Sequence, residues 1–318
     1  MTSGLGAEAV NEFGAPARAA ETSPIKARSA APAPAMASLG NAESRRWGGP
    51  SGRAGLVRGF AALVLLSAGS AQALEPLRSY DNFGSPPLDP ARWTTAERVI
   101  EIERGALRLM QRNWSSTAAD TGSTPFSWSE NLTDPAAVTA LKAKITVHAL
   151  EANACAGNTA TALARARIAG AFFNAGTPTP GSAVGDVLAQ VRLVRASNST
   201  DPAGVLRVQG IASICGDAPC NATTPIGSTV DLGTVNIGQA TTVQLQWDQP
   251  AKTFLFTRID TGASGAVVYT VGDGTSPSSP FKQLGTRMEV PNCQTGAPVS
   301  GLVDASFDNV AVNRSAAP

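Results

Sequence analysis

The sequence contains a single histidine, His148, and only four cysteines among its 318 residues. A zinc site needs closely spaced cysteine or histidine ligands, which this composition does not supply. A Ser-His-Asp hydrolase of the Gly-x-Ser-x-Gly type is also disfavoured, because no segment follows that pattern. We therefore interpret His148 as a residue on the polar face of a strand.

Long apolar runs are equally scarce. The longest one lies within residues 59–73 and spans about ten residues, whereas a membrane-spanning helix needs roughly 20. The charged residues form no basic stripe along the chain, so the sequence shows no electrostatic footprint for nucleic acid. We expect no membrane span and no nucleic-acid partner.

The residues on both sides of the apolar run are typical of an export signal. Arg53 and Arg58 precede it, and it ends at residues 71–73 in a small-x-small pattern of the kind that is cleaved after export. We predict a signal peptide at residues 53–73. The mature product then starts near Leu74 and is periplasmic or secreted.

Residues 1–52 are rich in Ala, Gly, Pro and Ser and almost lack large apolar side chains. Such a segment cannot bury enough surface to offset its ordering entropy, so we predict disorder there. It is long for the basic flank of a signal peptide, and we hypothesise a translation start downstream, at Met36. From Leu74 onward, 18 Lys and Arg stand against 20 Asp and Glu, a net charge of −2.

The four cysteines all lie in the predicted product. An even number in an oxidising compartment predicts two disulfides, for which three connectivities exist. Cys215 and Cys220 are separated by a short turn-forming segment, so a bridge between them closes easily. That pairing leaves Cys155 with Cys293, a bridge worth roughly 4–5 kcal/mol in the chain-entropy model.

Short segments in which apolar and polar residues alternate recur along the product, separated by clusters of Gly, Pro, Asn and Asp. A period of two is typical of half-buried strands. The clearest examples are residues 98–103, 105–112, 139–147, 187–195 and 242–247. Residues 134–150 and 163–171 are rich in alanine and also fit helical spacing, but their surroundings favour strands. The sequence therefore predicts an all-β domain at residues 74–318.

Short motifs at the two ends of the product point to a family. Tyr-Asp-Asn-Phe-Gly stands at residues 80–84, and Phe-Asp-Asn-Val stands at residues 307–310. This layout resembles the concanavalin A-like lectin/glucanase superfamily, which includes laminin-G-like domains of exported bacterial proteins. The resemblance covers residues 78–313. It implies a two-sheet antiparallel jelly-roll sandwich in which the terminal strands are neighbours.

The chain departs from the glucanases of that superfamily in the residues of catalysis. Those enzymes carry Glu-x-Asp-x-x-Glu on one strand, which supplies a catalytic acid and a nucleophile, and this sequence has no such motif. Glu101 and Glu103 are the nearest equivalent and share one strand face. We expect a non-catalytic domain; the alternative is a diverged glycoside hydrolase or lyase that uses these two glutamates.

Two sets of residues are candidates for a site. Asp81 and Asp308 come from the terminal motifs, and the resemblance implies a structural Ca²⁺ between them, because hard oxygen ligands suit that ion. The alternative is that both aspartates cap turns. We expect no other cofactor.

The second set comes from residues 113–128, which we interpret as a polar loop with aromatic residues. Trp114, Trp128 and Phe126 would stack on sugar rings, and Asp120 would bind hydroxyl groups. The alternative is that the two tryptophans pack over the sandwich as a lid.

From these observations we expect an exported, monomeric β-sandwich that binds a carbohydrate or another surface polymer. A further alternative is a structural or assembly protein of the cell envelope, for which exposed sheet edges would serve as docking sites.

Overall fold

The computed structural model describes residues 97–313 and Ser315, and the predicted front segment and signal peptide lie outside these residues. The described chain contains no α-helix and forms fourteen strands. Their bounds are β1 Glu97–Glu103, β2 Ala106–Trp114, β3 Ser123–Asn131, β4 Ala140–Ala152, β5 Leu163–Asn174, β6 Asp186–Ala196, β7 Val205–Cys215, β8 Thr223–Pro225, β9 Val230–Asn236, β10 Ala240–Asp248, β11 Thr253–Arg258, β12 Ala263–Val268, β13 Lys282–Pro291 and β14 Ser300–Val312.

The strands form two antiparallel sheets. The first sheet has the order β1-β2-β14-β4-β10-β11-β12, and the second has the order β3-β13-β5-β6-β7-β8, with β9 also pairing with β7. Many neighbours are distant in sequence, and β14 lies between β2 and β4 with Phe307 opposite Leu107. The predicted all-β, two-sheet sandwich is confirmed, and the closing motif does pair with a strand near the start of the described chain.

The core lies between the sheets and is built from alternate residues of each strand. On β4, for example, Leu141, Ala143 and Ile145 are buried, whereas Lys142 and Lys144 between them are not. This is the period of two that the sequence predicts, and each sheet contributes its inner face to one continuous apolar cluster.

The two ambiguous alanine-rich segments are strands β4 and β5, as predicted. Strand β5 is buried along nearly its whole length on both faces, so burial does not alternate along it even though polar and apolar residues alternate in its first half. Ala164, Ala166 and Ile168 face the core, and Arg165 and Arg167 occupy the positions between them. The outer face of β5 is therefore covered by other parts of the chain.

Both predicted disulfides are formed. Cys155 is bonded to Cys293, with a Cα–Cα distance of 5.7 Å, and Cys215 is bonded to Cys220, with a Cα–Cα distance of 4.8 Å. The long bridge joins the segment after β4 to the segment after β13. The short bridge closes the connection from β7 to β8.

Lys282, the first residue of β13, is almost fully buried. Its Nζ donates hydrogen bonds to the carbonyl oxygens of Ala171 (2.6 Å) and Pro135 (3.1 Å), and it lies 4.3 Å from the ring centroid of Phe172. Burial lowers the pKa of Lys282 from 10.5 to about 8.

This shift predicts that the free energy of unfolding rises between pH 8 and pH 10. In that window the unfolded chain holds the Lys282 proton while the folded chain loses it, so raising the pH favours the folded state by about 2–3 kcal/mol. Above pH 10 the effect is opposed by Tyr269, whose pKa burial raises to about 12. Urea unfolding at pH 8, 9 and 10 measures the rise. Lys282→Met should remove it, and a wild-type curve that is flat in this window would contradict the prediction.

Candidate functional site

Arginines from three strands converge on the outer face of the second sheet. Arg165 and Arg167 come from β5, Arg192 from β6 and Arg287 from β13. The register places Arg287 opposite Arg165 and Arg167 opposite Arg192, so the four side chains occupy two adjacent rows across the sheet. We call these four residues the arginine cluster. Gly285 lies opposite Arg167 in the register and adds no side chain to its row.

A cavity of about 360 Å³ opens above this face. We call it the arginine groove. Its floor includes Arg167 and Arg287 of the arginine cluster. The other lining residues come from β3, from the connection between β7 and β8, and from β6, β13 and the residue before β13: Pro125, Ser127, Ser129, Pro219, Cys220, Asn221, Leu188, Phe281 and Gln283.

The wall formed by residues 216–222 is held rigidly. Besides the Cys215–Cys220 disulfide, the Asp217 carboxylate accepts hydrogen bonds from the backbone N–H groups of Asn221 (2.6 Å) and Ala222 (3.1 Å). Arg287 in turn donates a hydrogen bond to the Asn221 side-chain oxygen at 3.3 Å. The wall is thus fixed to the arginine cluster as well as to its own strands.

Negative charge in the arginine cluster is supplied mainly by Glu289. Its carboxylate accepts a hydrogen bond from Arg165 at 3.0 Å and lies 3.6 Å from Nε of Arg287, which is beyond hydrogen-bond distance. Burial opposes ionisation of Glu289, but Arg165, Arg287 and Arg192 hold its pKa below the ordinary value. One carboxylate therefore lies among four guanidinium groups, and the charge of Asp217 in the wall also acts on Arg287.

Three of these guanidinium groups have a donor without a partner. The Nε atoms of Arg165, Arg167 and Arg287 are buried and form no hydrogen bond with the protein. Arg167 is only 5% exposed, and its NH1 reaches Gln190 at 3.3 Å. Burial and the charges of Arg287 and Arg165 lower the pKa of Arg167 well below its ordinary value, and burial lowers that of Arg287 to about 10. Buried donors without partners are costly, so an acceptor bound beside them would stabilise the arginine cluster.

The predicted aromatic site is organised differently from the expectation. Residues 113–128 are not one loop, because Trp114 ends β2 in the first sheet and Phe126 and Trp128 lie within β3 in the second. Phe126 and Trp128 pack against the core from the inner face of β3. The Arg98 guanidinium lies 4.7 Å from the Trp128 ring centroid. Trp114 is half-buried opposite Ser300, away from the lining of the groove.

Asp120 lies in the connection between β2 and β3. Its carboxylate accepts hydrogen bonds from the Thr295 hydroxyl (2.5 Å) and from the Gln294 N–H (2.6 Å), and these bonds hold the pKa of Asp120 below its ordinary value. It also lies beside the sulfur atoms of Cys155 and Cys293, but those atoms are joined in a disulfide and are not thiolate ligands. These contacts give Asp120 a role in fixing the turn after β13.

The remaining candidates lie on the first sheet. Asp308 pairs with Lys144 at 3.4 Å and caps the backbone N–H of Asn309 at 2.7 Å. These contacts do not make a Ca²⁺ ligand set; Asp81 lies outside the described residues, so the calcium pair stays a prediction. His148 is exposed and contacts the hydroxyl of Ser306, in agreement with its predicted position.

Glu101 and Glu103 lie on the edge strand β1. Both are exposed and contact the guanidinium group of Arg108, at 2.9 Å and 3.5 Å. Arg108 also forms two 2.9 Å bonds with Asp304. The two glutamates are thus part of an ion-pair network on the first sheet and do not line the groove.

The arginine groove is the feature that sequence reasoning missed. Its arginines are separated by up to 122 positions, from Arg165 to Arg287, and no linear stripe reveals them. A signal was nevertheless present, since Arg165 and Arg167 alternate with small apolar residues in a chain with only 15% charged residues. Two arginines inside such a strand indicate that the face pointing away from the core contacts polar or charged groups.

Comparison with known proteins yields only distant structural similarities. No protein-family model matches this chain, and no curated protein matches it. Similar solved structures include a polysaccharide lyase of family 18 (11% identity, TM-score 0.29, 67% of this chain and 84% of that chain). A legume lectin-like domain from Entamoeba histolytica is 8% identical, with a TM-score of 0.27 over 73% of this chain and 98% of that chain. The CBM2 module of an evolved Dit protein of Lactobacillus casei BL23 phage J-1 is 14% identical, with a TM-score of 0.27 over 69% and 96%.

In the part of the chain that the structure describes, no helix is long and apolar enough to cross a membrane.

Proposed function

We propose that this chain is an exported, non-catalytic β-sandwich protein that binds a carbohydrate or a similar surface polymer in the arginine groove. The observation that carries the proposal is the groove itself, a cavity of about 360 Å³ that combines polar side chains with buried arginines. Concave sites with a few convergent polar groups are where proteins usually bind ligands.

The chemistry of the lining suits a sugar chain. Ser127, Ser129, Gln283 and Asn221 supply hydroxyl and amide groups that both donate and accept hydrogen bonds, as sugar hydroxyls require. Phe281 supplies an aromatic ring at which the apolar face of a sugar can pack. Two disulfides suit a protein that works in an oxidising compartment, which supports export.

The test is retention of the purified protein by a panel of immobilised polysaccharides, with a variant that fills the groove. Ser127 is an exposed residue of β3 that lines the cavity, so Ser127→Trp should reduce retention at least about tenfold by occupying ligand space. The matched control is Ser264→Trp, at an exposed serine on the edge strand β12 of the first sheet, which should leave retention unchanged.

Failure to retain the wild-type protein on any polysaccharide would overturn the proposal, as would an equal loss in both variants. The same incubations measure catalysis. New reducing ends, or the ultraviolet absorbance of an unsaturated sugar, would replace the binding function with the hydrolase or lyase alternative. A Glu101→Gln and Glu103→Gln double variant then decides whether those residues are responsible.

A further inference from the structure

We infer that the arginine groove selects polymers with acidic groups, carboxylates or sulfates, and that Arg167 and Arg287 bind those groups directly. This inference rests on the proposed function and names the class of ligand for the same groove. Uncharged sugar chains would satisfy the serine and amide groups of the lining but would leave the guanidinium groups unpaired.

The charge balance of the cluster supports an anionic ligand. Arg165, Arg167, Arg192 and Arg287 share one close carboxylate, Glu289, and their mutual repulsion and burial lower the pKa values of Arg167 and Arg287. An anion placed among them would relieve this repulsion without moving the backbone. The net charge of the protein does not explain this excess of positive charge in the cluster, because the predicted product has a net charge of −2.

The unpartnered donors support direct contact. Arg167 and Arg287 line the cavity, and each has a buried Nε without a hydrogen-bond partner in the protein. The Nε and the adjacent terminal nitrogen of a guanidinium form a fork that matches the two oxygens of a carboxylate, or two oxygens of a sulfate. Because both Nε atoms are buried, each guanidinium group must turn toward the cavity for this fork to receive an anion.

An unpartnered Nε is not confined to the groove, but the charges around it differ. Arg258 is as deeply buried as Arg167, and its Nε donates to Thr241 and Asp260 while its NH1 donates to the carbonyl oxygen of Thr234. On the first sheet the Nε of Arg112 is also buried without a hydrogen bond, but it lies 3.3 Å from the Glu97 carboxylate, and NH1 of Arg112 donates to Glu151. Arg167 instead donates to the neutral Gln190 and lies among three other arginines.

A polysaccharide suits the site better than a nucleic acid. Binding to single strands relies on aromatic side chains that stack on successive bases, and the groove has only Phe281. Arg167 and Arg287 lie on neighbouring strands but at diagonal positions, because Arg287 is opposite Arg165 and Arg167 is opposite Gly285. Diagonal neighbours lie roughly 7–8 Å apart, so the two arginines can contact acidic groups on different sugars of one chain.

The experiment compares four soluble probes by affinity electrophoresis: polygalacturonate for carboxylates, dextran sulfate for sulfates, uncharged dextran, and single-stranded DNA of mixed sequence. We expect retardation by one or both acidic polysaccharides that weakens steeply with added salt, and little retardation by dextran or DNA. Which acidic probe binds identifies the acidic group. Arg167→Gln and Arg287→Lys should each weaken binding at least about tenfold, because a charge-assisted bidentate contact is lost.

Arg207→Gln is the control for Arg167→Gln, because it removes the same charge at a position outside the groove. Arg207 pairs there with Asp201 and Asp231. Thermal unfolding establishes that each variant is folded. The salt dependence of retardation is measured on the wild-type protein and therefore needs no variant. Binding of dextran but not of the acidic probes would overturn the inference and leave the proposed function standing. Binding of no polysaccharide would overturn both. Equal retardation by DNA, or an equal loss in Arg207→Gln, would also overturn the inference.

Discussion

Replacing both Cys155 and Cys293 by alanine is expected to lower the free energy of unfolding by about 5 kcal/mol. The bridge spans 138 residues, so its loss restores a large loop entropy to the unfolded chain. After its loss, the turn after β13 is held to the connection between β2 and β3 by hydrogen bonds alone, among them those to Asp120 and that from the Cys293 N–H to the Ser116 carbonyl oxygen. Urea unfolding with a linear extrapolation measures the change.

The Cys215→Ala and Cys220→Ala double variant is the matched control. That bridge spans only five residues, and the same entropy model predicts a loss of about 2 kcal/mol. Its larger effect should be on binding, because Cys220 and Asn221 form a wall of the arginine groove. Equal destabilisation by the two double variants would show that loop entropy does not govern the stability of this sandwich.

Arg167→Met and Arg258→Met are expected to change stability in opposite directions. Arg167 is 5% exposed and Arg258 is 4% exposed, so the two substitutions remove similar buried side chains. Loss of Arg258 takes from Asp260 its paired positive charge and from the Thr234 carbonyl oxygen its donor, so this variant should lose about 3 kcal/mol. Arg167 leaves fewer satisfied partners and relieves repulsion within the arginine cluster, so this variant should gain about 1–2 kcal/mol.

Thermal and urea unfolding of the two variants without ligand measure this difference. A gain in stability together with a loss of binding in Arg167→Met would mean that the cluster is maintained for its ligand at a cost to the fold. If Arg167→Met instead loses as much stability as Arg258→Met, Arg167 is a structural residue and the unpaired Nε has no functional meaning.

The class of fold was accessible from the sequence because it depends on local patterns. Alternation on segments such as β2, β4 and β10 predicts strands with one buried face, and it requires no knowledge of the strand's neighbours. The two cysteine pairings also followed from the sequence, since the short loop between Cys215 and Cys220 leaves one partner each for the others. Strand β5 was harder to assign, because its residues 168–173 are apolar or glycine on both faces and show no period of two.

The site was accessible only in part. Sequence reasoning selected strand β3 through Phe126 and Trp128, but those rings face the core, and their neighbours Ser127 and Ser129 line the groove. Successive side chains of a strand point to opposite faces, so an interpretation of the segment as a loop could not separate the two sets. The aromatic residues of this segment were predicted to stack on sugar rings, although aromatic side chains of a β-sandwich are more often buried in its core.

The sequence by itself determined that the described chain is all-β with two disulfides, because strand period and cysteine spacing are properties of neighbouring residues. The two-sheet sandwich was predicted only through the resemblance of the terminal motifs to a known superfamily. Only the tertiary structure decided that four arginines share one face above a groove. The reason is register: Arg167 meets Arg192, and Arg165 meets Arg287, through pairings that join β5 to β6 on one side and to β13 on the other. The few basic residues of a weakly charged chain become a concentrated positive site only when those strands are hydrogen-bonded side by side.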